Sequence, residues 1–352
     1  MAILTGEPNS PLHIPVAPLA SPDSLRRFLF GCCGGIILTL IIILCLPYDP
    51  AVPFHLLYET DYLKAGWIYD RLHVSKTPVD IAVIGTSHAM NGVDSERLEQ
   101  AMNATGEARD RRKTHVVNLA MPHLGDDLHD LIVNMLFATK QPRLLVIEIQ
   151  QLEARATHPV FAELAELSAM ASAPWGNPDL PAGFARLPRR QMRYFLESLV
   201  TNTVPADVAD HWDDTYQAVY HGNQKSDARI SAMAPERLLR EAAVERSHLH
   251  QKTAGYSSKW GWLFWHYNEA YLVHMLQAVK ARNIPIVFLY LPVFGTQVGP
   301  VPAALLEQYG KILTPPAELL NDPTLWFDRE HLNHEGSRQL TAWLAKSLAV
   351  IY

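Results

Sequence analysis

The sequence predicts an α/β protein, a three-layer sandwich with a mainly parallel sheet, joined to one membrane-spanning helix. Three observations lead there. Four short runs rich in Val, Ile and Leu recur along the chain, as expected of strands buried on both faces. Stretches with apolar residues at helical spacing fall between them, the alternation that builds a parallel sheet covered by helices. Ahead of all this lies FLFGCCGGIILTLIIILCL at 28–46, a run of 19 residues without a charge.

From the N-terminus, residues 1–24 hold five prolines (Pro8, Pro11, Pro15, Pro18 and Pro22) and no apolar periodicity, which reads as a disordered tail. Segment 25–47 reads as a transmembrane anchor. Its apolar run spans about 28 Å as a helix, against a hydrocarbon core of about 30 Å. The sequence CLPYDP that follows offers no A-x-A-like cleavage site, so the anchor is expected to be retained. Arg26 and Arg27 precede the run, whereas Asp49, Glu59 and Asp61 come after it and before Lys64. By the positive-inside rule the N-terminus is cytoplasmic and the main domain extracytoplasmic, in a bacterium the periplasmic side of the inner membrane. Cys32, Cys33 and Cys45 all fall within the run, which leaves the exported part without a possible disulfide.

Segment 48–352 is read as one α/β domain. An aromatic-rich lead-in at 48–76 precedes the first strand, VDIAVIG at 79–85; THVVNLA at 114–120 and RLLVIEI at 143–149 follow. Leu128, Leu131, Ile132, Met135 and Leu136 mark a helix between the second and third strands. Leu272, Met275, Leu276 and Val279 mark another before a fourth strand, IPIVFLYLP at 284–292. The stretch from about 153 to 262 has helical patches at 161–170, 191–199 and 237–244 and no strand pattern, so it reads as a helical insertion. Apolar residues make up 48% of the chain and charged residues 19%, enough for a sizeable core. The 30 Lys and Arg against 36 Asp and Glu give a formal charge of −6, which argues against a nucleic-acid binder.

Two segments carry chemistry. IGTSHAMNG at 84–92 places Ser87 where a strand turns into a helix, near free backbone N–H groups. FDREHLNHEG at 327–336 places Asp328 three residues before His331 in one loop. There a carboxylate can fix the imidazole tautomer while the other ring nitrogen faces a nucleophile. Ser87, His331 and Asp328 are therefore a candidate triad. Taken singly, each piece has an ordinary alternative: a turn and helix cap at 85–87, surface loop residues at 328–331.

DIAVIGTSHAMNGVD, VVNLAMPHLGDD, KARNIPIVFLYLPVFG and DREHLNHEGSRQL together resemble the SGNH (GDSL-like) hydrolase superfamily. The likeness is greatest to its membrane-anchored branch that includes the DltD-type proteins, over residues 78–150 and 268–348. The resemblance implies a flavodoxin-like sheet, with Ser87 as nucleophile, His331 as general base and Asp328 as its orienter. It implies an oxyanion hole formed by the Ser87 N–H and a donor from the second block. Spacing from Asn118 puts that donor at His123 without a gap or at Gly125 with one. The third block departs from the family's Gly-x-Asn-Asp: the chain reads VIEIQQLEA, leaving Gln150 or Gln151 as the substitute amide. His88, Asn91 and Asn118 are candidate pocket residues, and His334 is a fallback base.

His248 and His250 lack the neighbouring carboxylates or cysteines of a metal site, and no phosphate loop is present, so neither a metal nor a cofactor is expected. Trp260, Trp262, Trp265 and Tyr267 read as packing of the insertion, with a sugar platform or a membrane belt as alternatives. The resemblance implies a membrane-anchored acyl-transfer enzyme that O-acylates, in particular acetylates, an exopolysaccharide or envelope glycan. Its expected partner is a multi-spanning membrane-bound O-acyltransferase or a polysaccharide synthase complex. An esterase or deacetylase of the same glycans, and a non-catalytic scaffold for such a complex, are the rival readings.

Overall fold

The computed structural model describes residues 21–104, 113–151, 156–171, 179–200, 207–212, 233–296, 299–300 and 302–351. The tail expected at 1–24 lies outside them except for its last four residues. Those are the N-cap, Ser21, and the first three residues of the first helix, α1, Pro22–Leu44. Ser21 caps it by accepting the Ser24 N–H at 3.2 Å, and Pro22 occupies the first turn, where a missing N–H is harmless. This helix buries none of its residues, and it is long and apolar enough to cross a membrane. Residues 1–47 and 48–352 form two separate compact units.

The second unit is built on five strands: β1 Ile81–Ile84, β2 Val116–Asn118, β3 Leu144–Ile149, β4 Ile286–Tyr290 and β5 Gly310–Leu313. All pairings are parallel and the order is β2-β1-β3-β4-β5. Side chains alternate across the sheet because the strand period is two. Ala82, Ile84, Leu145, Ile147 and Phe288 enter one apolar layer, Ile81, Val83, Val146, Val287 and Leu289 the other. The first layer is closed by α2 (Lys64–His73), α5 (Asp126–Thr139) and α8 (Gly261–Ala281), through Leu72, Leu136 and Met275 among others. On the opposite face lie α3 (Ser87–Gly92), α4 (Ser95–Ala104) and α9 (His334–Ile351), through Ala89, Leu98 and Leu340.

The fifth strand escapes the sequence patterns for a physical reason. It is a sheet edge of four residues, only Leu313 of which is buried, and it contains Lys311. Charge and brevity are how edges avoid further pairing, and they also erase the apolar signal. Gly310 is needed there, since a Cβ would lie 2.3 Å from the Ile286 carbonyl oxygen.

The insertion is helical among its described residues, with short helices at Phe161–Leu164 and Leu167–Ala171, then α6 (Leu180–Val200) and α7 (Pro235–Tyr256). Its expected end at 262 falls inside α8, which is a layer helix of the sheet. Leu164 joins one layer and Leu238 the other, so the insertion shares the core of the domain. Phe288, fully buried in β4, tests that core. Phe288→Ala is expected to lower the unfolding free energy by about 3–5 kcal/mol in a denaturant titration.

Candidate active site

In a doubly wound sheet, ligands bind beyond the C-terminal strand ends where the strand order reverses. Here β1 lies between β2 and β3, and the turns leaving β1 and β3 carry Gly85–Thr86–Ser87 and Gln150. Each residue of the first turn has a separate job. A Cβ on Gly85 would lie 2.6 Å from both Cβ and Oε2 of Glu148, so only glycine lets β1 run this close to that side chain. Thr86 is the N-cap of α3, its hydroxyl accepting the His88 N–H at 3.2 Å. Ser87 is the first helical residue, where the backbone N–H has no intrahelical acceptor.

Ser87 Oγ lies 2.8 Å from Nε2 of His331, although 244 residues separate them. On the other side of the ring, Nδ1 is 2.9 Å from Oδ2 and 3.0 Å from Oδ1 of Asp328. A carboxylate only accepts, so Nδ1 carries the proton and Nε2 is left to accept from the serine hydroxyl. Burial works to raise the Asp328 pKa. The His331 ring and the N–H groups of Glu330 and His331, each 2.7 Å from Oδ1, outweigh it and hold the carboxyl below its usual range.

The segment after Asp328 is built to hold that loop. Phe327 N–H donates to the His331 carbonyl, and Phe294 N–H to that of Arg329. Leu332 enters the core, and Asn333 caps α9 by accepting the Gly336 N–H at 3.0 Å. Gly336 packs where a Cβ would lie 2.3 Å from the Leu325 carbonyl oxygen. His334 is exposed at the start of α9, and Asp328 is paired with His331 in its place.

Other candidates serve the scaffold. Gln150, a candidate oxyanion donor, directs its amide to Thr86 Oγ1 at 3.1 Å and Glu148 Oε1 at 3.2 Å, and so braces the two side chains. Gln151 is buried, and its Oε1 has no hydrogen-bond partner. Asn118, a candidate pocket residue, donates to the carbonyls of Ala89 and Val93 at 2.9 and 2.8 Å and accepts the Ala120 N–H at 3.0 Å. It latches β2 to α3. Asn91 donates to the Ser87 carbonyl at 2.7 Å within the same helix.

His123 is exposed, with a left-handed φ of 67°, and its ring lies against those of Tyr62 and His158. Gly125 precedes α5 and packs on His158 and Asp127, where a Cβ would be 2.5 Å from the His158 Cβ. Among the described residues neither is hydrogen-bonded to Ser87.

Two residues essential to this geometry were not singled out from the sequence. Thr86 N–H and Oγ–H both donate to Glu148 Oε2, at 2.6 and 2.9 Å. With acceptances from His88 and Gln150, the threonine hydroxyl uses its one donor and both acceptor sites. Burial pushes the Glu148 carboxyl upward, against the three donors that Thr86 and Gln150 supply. The signal for Glu148 is a lone charge inside the otherwise apolar run LLVIEI.

His88 is buried behind His331, with ring centroids 5.7 Å apart, and its Nδ1–H donates to the Leu291 carbonyl at 3.3 Å. Burial, then the neighbouring His331, lowers its pKa to about 4. A separate cavity of about 870 Å³ lies between α5, α8 and the lead-in, walled by Phe54, Tyr69, Phe161 and Tyr271. It includes no triad residue, and its Asp130 is already paired with His274 at 2.9 Å. Tyr267 is buried with its hydroxyl on Asp127 at 3.2 Å, as packing requires, whereas the side chains of Trp262 and Trp265 lie outside the described ones. No group of His, Cys, Asp and Glu that suits a metal ion occurs among the described residues. No family model, curated protein or solved structure matches the chain.

The buried imidazole gives a pH test. His88 is neutral in the folded state down to about pH 4, whereas the unfolded chain takes up the proton near 6.5. The unfolded state then binds more protons between these values, so stability falls as pH drops through that window and levels off below it. Relative to His88→Gln, the wild type is expected to lose roughly 3 kcal/mol from pH 7 to pH 4, read as the difference between denaturation curves.

Proposed function

We propose that the protein is a serine acyl-transfer enzyme that works on the extracytoplasmic side of a membrane. What supports this most directly is the hydrogen-bonded series Ser87–His331–Asp328, at 2.8 and 2.9 Å, on the rim where a doubly wound sheet binds its ligands. In the reaction, Ser87 Oγ attacks the carbonyl carbon of an ester while His331 Nε2 takes the hydroxyl proton. The carbonyl π pair moves to oxygen, which gains from the Ser87 N–H at the start of α3. When that oxyanion collapses, the C–O bond to the leaving alcohol breaks and His331 returns the proton to it. An acyl-serine remains, and the same imidazole deprotonates the acceptor that removes it. Asp328 stays ionised and stabilises the imidazolium.

The acceptor we favour is a hydroxyl group of an exopolysaccharide or envelope glycan, with acetyl as the acyl group. This follows the resemblance of the serine, second and Asp-x-x-His blocks to the membrane-anchored SGNH branch, together with the apolar helix α1. The partner in that reading is a multi-spanning O-acyltransferase or a polysaccharide synthase complex that delivers the acyl group or the glycan.

The test uses the full chain in detergent with p-nitrophenyl acetate, with and without an oligosaccharide acceptor. Wild type is expected to release nitrophenol and to pass acetyl to the sugar. Ser87→Ala should lower kcat by about a thousandfold or more, and Asp328→Asn by about ten-thousandfold. Release that ignores the acceptor would make the protein an esterase. Equal release by wild type and Ser87→Ala would leave a scaffold role.

Glu148 is expected to act by positioning Ser87. In Glu148→Gln one end of the side chain becomes an N–H₂ that must face either the two donors of Thr86 or the amide N–H₂ of Gln150, so kcat should fall about tenfold or more with KM little changed. The swap Glu148→Gln with Gln150→Glu restores one carboxylate and one amide, and recovery of kcat in that double variant checks the assignment.

A further inference from the structure

Helix α6 presents a face that is exposed among the described residues. Its inner side is fixed by burial: Gly183, Leu187, Arg190, Gln191 and Tyr194 face the core. Arg190 donates to the carbonyls of Ala162 and Ala165, and Tyr194 donates to that of Glu163 at 2.8 Å. Arg186, Arg189 and Arg193 are exposed, and their i, i+3, i+7 spacing lines them along one outward stripe. Leu196 and Val200 continue that stripe and Leu199 flanks it, with 53%, 80% and 66% of their surfaces exposed. Glu197, half-buried, is the acidic residue in this half of the helix.

A basic stripe running into exposed large aliphatics is the pattern of a helix lying in a membrane interface. Chain connectivity independently points the same way. Tyr48 packs its ring on Tyr194 at 5.4 Å, and Asp49 N–H donates to Ser198 Oγ at 2.8 Å. Tyr48 and Asp49 follow the last residue of α1, Leu44, by only four and five positions. Five residues reach at most about 18 Å when fully extended. If α1 crosses a bilayer, the end of α6 is therefore tethered within that distance of the membrane surface.

We propose that the outward face of α6 is a membrane-surface contact. Arg186, Arg189 and Arg193 bind the phosphates of anionic lipids, while Leu196, Leu199 and Val200 enter the upper acyl region. The inference rests on α1 being a membrane anchor and is independent of the catalytic reading. It gives the domain two attachments, one covalent and one along a helix face, and so a defined tilt at the bilayer in place of free rotation about the anchor.

The full chain in lipid nanodiscs tests this, with p-benzoylphenylalanine replacing Leu199 in one sample and Leu239, an exposed residue of α7, in another. Discs contain phosphatidylcholine alone or mixed with phosphatidylglycerol. Mass spectrometry after illumination is expected to find lipid adducts at position 199 and far fewer at 239, with a higher yield in the anionic discs. Replacing Arg186, Arg189 and Arg193 together by serine should lower the yield at 199 in anionic discs about tenfold or more. Equal yields at both positions, protein–protein adducts in place of lipid adducts at 199, or a yield indifferent to the arginines overturns the proposal. Failure of the unmodified chain to co-purify with the discs overturns it together with the anchor on which it rests.

Discussion

Thr86 sends both its donors, the backbone N–H at 2.6 Å and the hydroxyl at 2.9 Å, to one oxygen of Glu148, and the turn carrying Ser87 is built around that contact. Ile84 pairs with Ile147 in the sheet, so Glu148 sits one step beyond the last register pair of β1 and β3. Strand alternation turns its side chain away from Ile147 and toward the layer that contains Ala89 and Leu340. A buried carboxylate is unfavourable by several kcal/mol unless donors surround it. Here it receives both donors of Thr86 and the Gln150 amide. An apolar residue would avoid the desolvation yet strand two donors of Thr86 beneath Ser87, each costing about 1–3 kcal/mol. The carboxylate is therefore best understood as fixing a conformation.

His331 comes from the opposite end of the chain, and its distance to Ser87 is set by helix packing. Leu340, Leu344 and Leu348 of α9 are fully buried in the layer that holds Ala89 and Val93. Asp94 N–H donates to Thr341 Oγ1 at 3.0 Å, and Gly92 leaves just enough room for Leu340. Three such leucines contribute roughly 1.5–3 kcal/mol each on burial, against about 1 kcal/mol for a hydrogen bond. The contact between Ser87 and His331 is thus held by apolar packing, with its own bond a minor term. Asn333 and Gly336 transmit that rigidity to the loop by tying the start of α9 to residues 324 and 325.

This division explains what the sequence made legible. Strands buried on both faces announce themselves because every position is apolar, as in residues 144–147. The serine and the Asp-x-x-His pair were legible because local chemistry demands those types at those spacings. Less of the third block was legible. A glutamine after a strand reads as a free amide, and nothing in VIEIQQ tells that Glu148 and Thr86 will occupy it. Such assignments depend on register between strands, here joining Thr86 to Glu148 62 residues further along the chain, which periodicity does not encode. The same limit applies to Asn118, whose three hydrogen bonds reach α3 and its own strand end. A polar residue near a reactive one is as often its support as its partner in chemistry.

The histidine beside Ser87 shows how support of this kind enters the chemistry. In the proposed reaction the His331 ring becomes positive as Ser87 loses its proton, with the His88 ring 5.7 Å away between centroids. A charge on His88 would oppose that step by about 3 kcal/mol at an effective dielectric of 20. Burial prevents it by lowering the pKa to about 4, and the Leu291 carbonyl fixes the neutral tautomer by taking the Nδ1 proton. With His88 neutral, the charge nearest the imidazolium is Asp328, which favours it. The burial that makes His88 a liability to stability in acid is the same burial that leaves His331 free to accept the proton.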